Sequence, residues 1–121
     1  MKRNVALYIS DIIEYMERAE LYIRDLTLEE FSADQKTCDA VIRCIEIVGE
    51  ATKNVPMEIR EKYPSVPWRD MAGMRDKIIH GYFTVDFDEV WITVKEEFPK
   101  LKPLVKKVLE DLKNGDMIKN A

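Results

Sequence analysis

A chain of 121 residues with 46% hydrophobic and 35% charged side chains has the make-up of a single globular domain, here 1–121, large enough to bury a core without metal or disulfide staples. The longest stretch free of Asp, Glu, Lys and Arg runs only from Ile78 to Val85, far short of the ~20 residues of a membrane-spanning helix, and Asp11 breaks the apolar run that a secretory leader would need. A formal net charge of −4 argues against a general coat for nucleic acid and confines any such contact to a local basic cleft.

The first predicted helix runs from about Asn4 to Asp25. Val5, Ile9, Ile12, Met16, Ala19 and Ile23 form one apolar stripe at helical spacing, and Tyr8, Tyr15 and Tyr22 form a second beside it. A face this broad fits either a central bundle helix or one that also meets a second subunit. Thr27 with Glu30, and Ser32 with Gln35, each have capping-box spacing, so a short turn should lead into a second long helix. That helix carries Cys38, Val41, Ile45, Val48 and Thr52 on one face, with Ile42 and Gly49 alongside, and Pro56 limits it. On one helix, Cys38 and Cys44 are separated by roughly 9 Å of rise, too far for a bridge. They lack metal-ligand spacing and read as reduced core thiols of a cytoplasmic protein.

Met57 to Tyr63 supplies one or two further turns before the rigid YPSVPW break. A third helix is predicted from about Trp68 to His80, with Gly81 as its C-terminal cap. Asp86, with Glu89 three residues on, should open the last helix, which carries Val90, Trp91, Val94 and Phe98 and is kinked or divided at Pro99 and Pro103 before Leu104 to Leu112. Short connections between long amphipathic helices predict an all-α, antiparallel bundle of four to five helices.

His80 is the only histidine, which removes several kinds of site. A di-iron bundle needs two Glu-x-x-His pairs, and an ordinary zinc site needs more ligands of this type than the chain has. Ser10, Ser32 and Ser65 lie in no nucleophile turn, and there is no glycine-rich phosphate loop. The remaining segment is Arg75-Asp76-Lys77-Ile78-Ile79-His80-Gly81-Tyr82. On a continuous helix, Arg75 and His80 would point about 140° apart, so they share a face only if the helix ends near His80.

Two readings of the segment stand side by side. In one, His80 merely occupies a helix C-terminus, where the dipole favours imidazolium. In the other, the pair cleaves RNA through the substrate's own 2′-hydroxyl. Histidine titrates near neutral pH and suits proton transfer, while arginine stays charged and grips phosphate in a bidentate way. One histidine per chain for a reaction helped by two proton-transfer groups favours an isologous homodimer with paired sets around one cleft. This scheme requires neither metal nor cofactor.

The segment and its surroundings resemble the HepT family of HEPN-domain proteins, the toxin half of pairs encoded with a minimal nucleotidyltransferase antitoxin. TLEEFSAD (Thr27–Asp34), AVIRCIEIVGEA (Ala40–Ala51), WRDMAGMR (Trp68–Arg75), HGYF (His80–Phe83) and VWITV (Val90–Val94) follow that family's running pattern in order, over nearly the whole chain. Arg-x4-His alone is unspecific; its place between WRDMAG and GYF is specific. The resemblance implies a HEPN-type bundle, dimeric, with metal-independent endoribonuclease activity. It implies Arg75 and His80 as the catalytic pair, Asp76 as the polar residue following the arginine, and Tyr82 as the tyrosine the antitoxin modifies with AMP. The alternative is a non-catalytic helical subunit that docks a nucleotidyltransferase. Trp68 and Trp91 read as packing anchors, and Lys102, Lys106 and Lys107 as a solvated face. Glu50 fits either a cleft wall or a helix crossing around Gly49 and Ala51.

Overall fold

The computed structural model describes residues 3–80 and 84–120, with side chains as far as residue 115. The expected cap Gly81 and the modification candidate Tyr82 lie outside the described residues. Helix α1 spans Val5–Ile23, opened by the Asn4 side chain accepting from the Ala6 amide at 2.8 Å. It buries Ile9, Ile12, Ile13, Met16, Ala19 and Ile23, the stripe read from the spacing with Ile13 added and Val5, at its start, only partly buried. The tyrosine row divides: Tyr15 packs against the core from its edge, while Tyr22 is exposed.

Helix α2 (Leu28–Ala33) has the expected capping box, with the Thr27 hydroxyl and Glu30 carboxylate each accepting the other's backbone N–H. Ser32 caps nothing; it lies inside α2. Helix α3 (Gln35–Lys53) is capped instead by Asp34, which accepts from the Thr37 amide at 3.1 Å and the Thr37 hydroxyl at 2.7 Å. These bonds to the ionised form hold the Asp34 carboxyl below its ordinary range. The chain enters α3 directly from α2, so the capping site falls on the acid at the junction. Cys38 and Cys44 are free and buried on α3, and burial pushes both thiols up.

The packing of α1 on α3, with the C-terminal helix α8 (Phe98–Asn120) also against α1, forms the bundle's centre. After α4 (Met57–Lys62), Trp68 is buried and donates its indole N–H to the Tyr63 carbonyl at 3.0 Å, fixing the proline-rich break as a packing anchor should.

The predicted Trp68–His80 helix is the main departure. It is divided at Gly73 into α5 (Trp68–Ala72) and α6 (Met74–Ile78), and it stops before His80. Ile79 turns extended (φ −120°, ψ 120°), and Ile79–His80 form a strand, β1, antiparallel to Thr84–Val85, β2, with Ile79 facing Val85 and His80 facing Thr84. Two adjacent β-branched isoleucines disfavour continuation of the helix, and strand pairing gives their backbone groups partners. The Asp86 amide closes the hairpin by donating to the Ile78 carbonyl at 2.8 Å.

Helix α7 (Phe87–Ile92) starts at Asp86, whose side chain accepts from the Glu89 amide at 3.0 Å, as the sequence indicates. It passes through a π turn (Thr93–Glu97) into α8 (Phe98–Asn120). The irregularity lies ahead of the prolines, and Pro103 is accommodated within α8. The Phe98 amide bonds the Thr93 carbonyl five residues back. Pro99 has no N–H, and its ring would press on the carbonyl four residues before it, which a widened turn relieves. No helix among the described residues is long and apolar enough to cross a membrane.

Candidate functional site

The site begins with a glycine. A Cβ placed on Gly49 of α3 would stand 3.4 Å from the Ala72 carbonyl oxygen and 3.6 Å from that of Met71, so α5 crosses α3 at near backbone contact. The chain bends at Gly73 and α6 begins, its Met74 and Ile78 buried in the core. Burial of these two residues, four apart, sets the helix's rotation and turns Arg75 outward. Arg75 lies half-exposed over α3, where its Nε donates to Glu46 Oε2 at 3.1 Å.

His80 follows two residues after α6, exposed on β1. Because Ile79 and His80 are extended, the helical-wheel separation of Arg75 and His80 does not apply. The reading of His80 as a last-turn helix residue loses its premise with it. Asp76 is 88% exposed and its Oδ1 stands 3.9 Å from an Arg75 terminal nitrogen, beyond hydrogen-bond length.

Lys77, on another face of α6, places its ammonium 3.6 Å from Glu89 and 3.7 Å from Glu97. Those acids lie on α7 and in the π turn, so this contact braces α6 against that segment. Lys77 is thereby engaged by two carboxylates.

Glu46 escaped the sequence reading, which weighed Glu50 in the same segment. Glu50 is exposed and pairs with Lys53 at 3.2 Å, one turn along from the arginine's carboxylate. Only the crossing at Gly49 shows which acid Arg75 meets. Trp91 lies 5.7 Å from the Phe31 ring and under the Lys95 ammonium, in packing rather than display. Lys107 pairs with Asp111 at 2.9 Å on a solvated face, as expected, whereas Lys102 departs from that reading: it is partly buried and pairs with Glu20 of α1. Among the described residues, no three His, Cys, Asp or Glu side chains group so as to hold a metal ion.

The geometry sets an anchored guanidinium in the first turn of a short helix and an exposed imidazole on the strand that follows the helix's other end. A family model described as "Ribonuclease HepT-like" matches residues 12–108, spanning all of these groups. The chain belongs to the HepT-like ribonuclease family. A protein of Thermococcus cleftensis named "Probable ribonuclease HepT" is 50% identical over 102 residues, 84% of this chain and 93% of the relative. One from Methanocaldococcus jannaschii named "Putative RNase" is 43% identical over 115 residues, 95% of each chain. Another from Caldanaerobacter subterraneus, also named "Putative RNase", is 41% identical over 103 residues, 85% of this chain and 92% of the relative. No solved structure matches the chain. Membership fixes the activity class as ribonuclease and the architecture as a HEPN-type helical fold.

Proposed function

We propose that this HepT-like ribonuclease is a metal-independent endoribonuclease toxin that cleaves RNA in a homodimer cleft with Arg75 and His80. The observation that carries the reading is the outward guanidinium of Arg75, tethered through Nε on a short helix, together with an exposed His80 on the strand that directly follows that helix.

In the reaction, one His80 imidazole removes the proton from the 2′-hydroxyl, whose oxygen attacks the adjacent phosphorus. The bond from phosphorus to the 5′-oxygen breaks, and that oxygen takes a proton from His80 of the partner subunit. The Arg75 guanidinium bonds the non-bridging oxygens as charge builds on them. The products are a 2′,3′-cyclic phosphate and a free 5′-hydroxyl. Asp76, exposed beside the arginine, serves as a polar group at the cleft rim.

The test is an RNA with a single 2′-deoxy substitution at a mapped cut site. Cleavage should vanish at that position alone, and the other products should carry cyclic phosphate. Cleavage persisting across the 2′-deoxy position would overturn the mechanism.

Dimerisation is supported by α1, where Leu7, Leu21 and Tyr22 are 48%, 55% and 40% exposed. Leu7 and Leu21, fourteen residues apart, fall within about 40° of each other on the helix surface. Exposed apolar groups at both ends of one face, with the Glu14–Arg18 ion pair between them, make a mixed surface that a second subunit can cover. Light scattering should return twice the 14.2 kDa chain mass, and the single-chain mass would contradict the paired cleft.

The cognate antitoxin in this proposal is a minimal nucleotidyltransferase that transfers AMP to Tyr82. The added phosphate and bulk would repel RNA from the adjacent Arg75 and His80. A Tyr82→Phe chain should therefore stay active after incubation with that enzyme and ATP, while the unaltered chain gains one AMP and loses cleavage.

A further inference from the structure

We infer that Glu46 is the positioning residue of the ribonuclease site, selecting which edge of the Arg75 guanidinium meets phosphate. The inference rests on the proposed role of Arg75 and adds a residue from a different helix.

A guanidinium offers two bidentate edges, one formed by Nε with a terminal nitrogen and one by the two terminal nitrogens. Glu46 Oε2 takes the Nε–H at 3.1 Å and so occupies the first edge. Asp76 approaches a terminal nitrogen only to 3.9 Å. The end-on edge therefore remains for a phosphate, in the fork geometry that arginine binds best.

The other acids near α6 are differently placed. Glu89 and Glu97 face Lys77, and Glu50 pairs with Lys53. Among the described residues, Glu46 is the acid within hydrogen-bond distance of Arg75. Its own position is firm: it sits on α3 between the buried residues Ile45 and Val48, one turn before the close crossing at Gly49.

A carboxylate beside the phosphate-binding arginine carries an electrostatic cost, because it repels the phosphate the arginine attracts. Position rather than charge is therefore its contribution, which separates the substitutions. Glu46→Gln keeps an oxygen that accepts the Nε–H and removes the like charge. It should retain kcat within about three-fold and lower KM, as expected when repulsion between charges is relieved. Glu46→Ala frees the guanidinium and should lower kcat about 100-fold, the scale of a 1 Å misplacement at a reacting centre. Glu46→Asp, one methylene shorter, should resemble alanine more than glutamine.

The pair is half exposed, so thermal midpoints should stay close to that of the unaltered chain. In a double-mutant cycle, adding Glu46→Ala to Arg75→Ala should cost nothing further, since Glu46 acts through Arg75.

The experiment is steady-state cleavage of a defined RNA by the intact dimer for each variant, with His80→Ala beside them. Wild-type kcat in Glu46→Ala, equal losses in the glutamine and alanine variants, or additive losses in the cycle would each overturn the inference. Full activity in Arg75→Ala would instead overturn the functional reading beneath it.

Discussion

Replacing His80 with alanine should lower the RNA cleavage rate by about 10²–10⁴-fold, the range contributed by a positioned general acid–base group. In a two-fold dimer the substitution removes both imidazoles at once, so the loss should lie toward the upper end. The fold should be unaffected. His80 is exposed on the short β1 strand, and its backbone pairing with Thr84 does not depend on its ring. Circular dichroism and oligomeric mass should match the unaltered chain, so a loss of activity reports on chemistry. Arg75→Lys should also be deficient, by an amount closer to Arg75→Ala than to the parent. A lysine supplies charge but neither the planar fork nor the Nε–H that Glu46 holds. Near-parental cleavage by His80→Ala would remove the imidazole from the mechanism.

The largest expected effect on stability is at Phe31. Its side chain is fully buried, in edge contact with Phe87 at 6.4 Å and tilted against Trp91 at 5.7 Å. Its carbonyl also accepts from the Cys38 thiol at 3.0 Å, so α2, α3 and α7 converge on it. Phe31→Ala removes that centre and should cost about 3–5 kcal/mol, as buried aromatic truncations do. For a domain of this size the corresponding fall in Tm is on the order of 10–20 °C. Hydrogen exchange should show the loss concentrated in α7 and β2, while α1 and the middle of α3, which keep their own buried stripes, stay better protected. Phe31→Leu should recover much of the stability because it leaves less empty volume. A fall of only a few degrees on Phe31→Ala would show that these elements are held together elsewhere.

Periodicity and capping chemistry are local, and the elements they govern could be read from the chain. The α1 stripe, the Cys38–Thr52 face of α3, the Thr27–Glu30 box and the Asp86 cap all stand where the spacing puts them. The segment around the site could not be read this way, because its shape is set from outside itself. Trp68 to Ile78 has helical character throughout, but the close approach to Gly49 ends α5 at Ala72 and restarts the chain as α6. Ile79 and His80 are extended because Thr84 and Val85 pair with them. The β-branched residues on both sides of Gly81 were an available hairpin signal that the helical reading overrode.

The motif residues Arg75, Asp76 and His80 were visible in the sequence, whereas Glu46 was one acid among many on α3. Its contact with Arg75 spans 29 residues of chain and exists only through the crossing of two helices. The π turn likewise owes its place to Pro99, whose missing N–H and ring both act on the turn before it. Tyr82 lies outside the described residues, and its proposed modification rests on family resemblance.

In the proposed mechanism Arg75 and His80 cleave RNA with no metal ion. The most direct test is cleavage of RNA by the purified, unmodified protein in excess EDTA, with His80→Ala measured under the same conditions. Cleavage by the unaltered chain and none by the variant is the predicted result. Cleavage abolished by the chelator and restored by a divalent ion, or equal cleavage by both proteins, would contradict it.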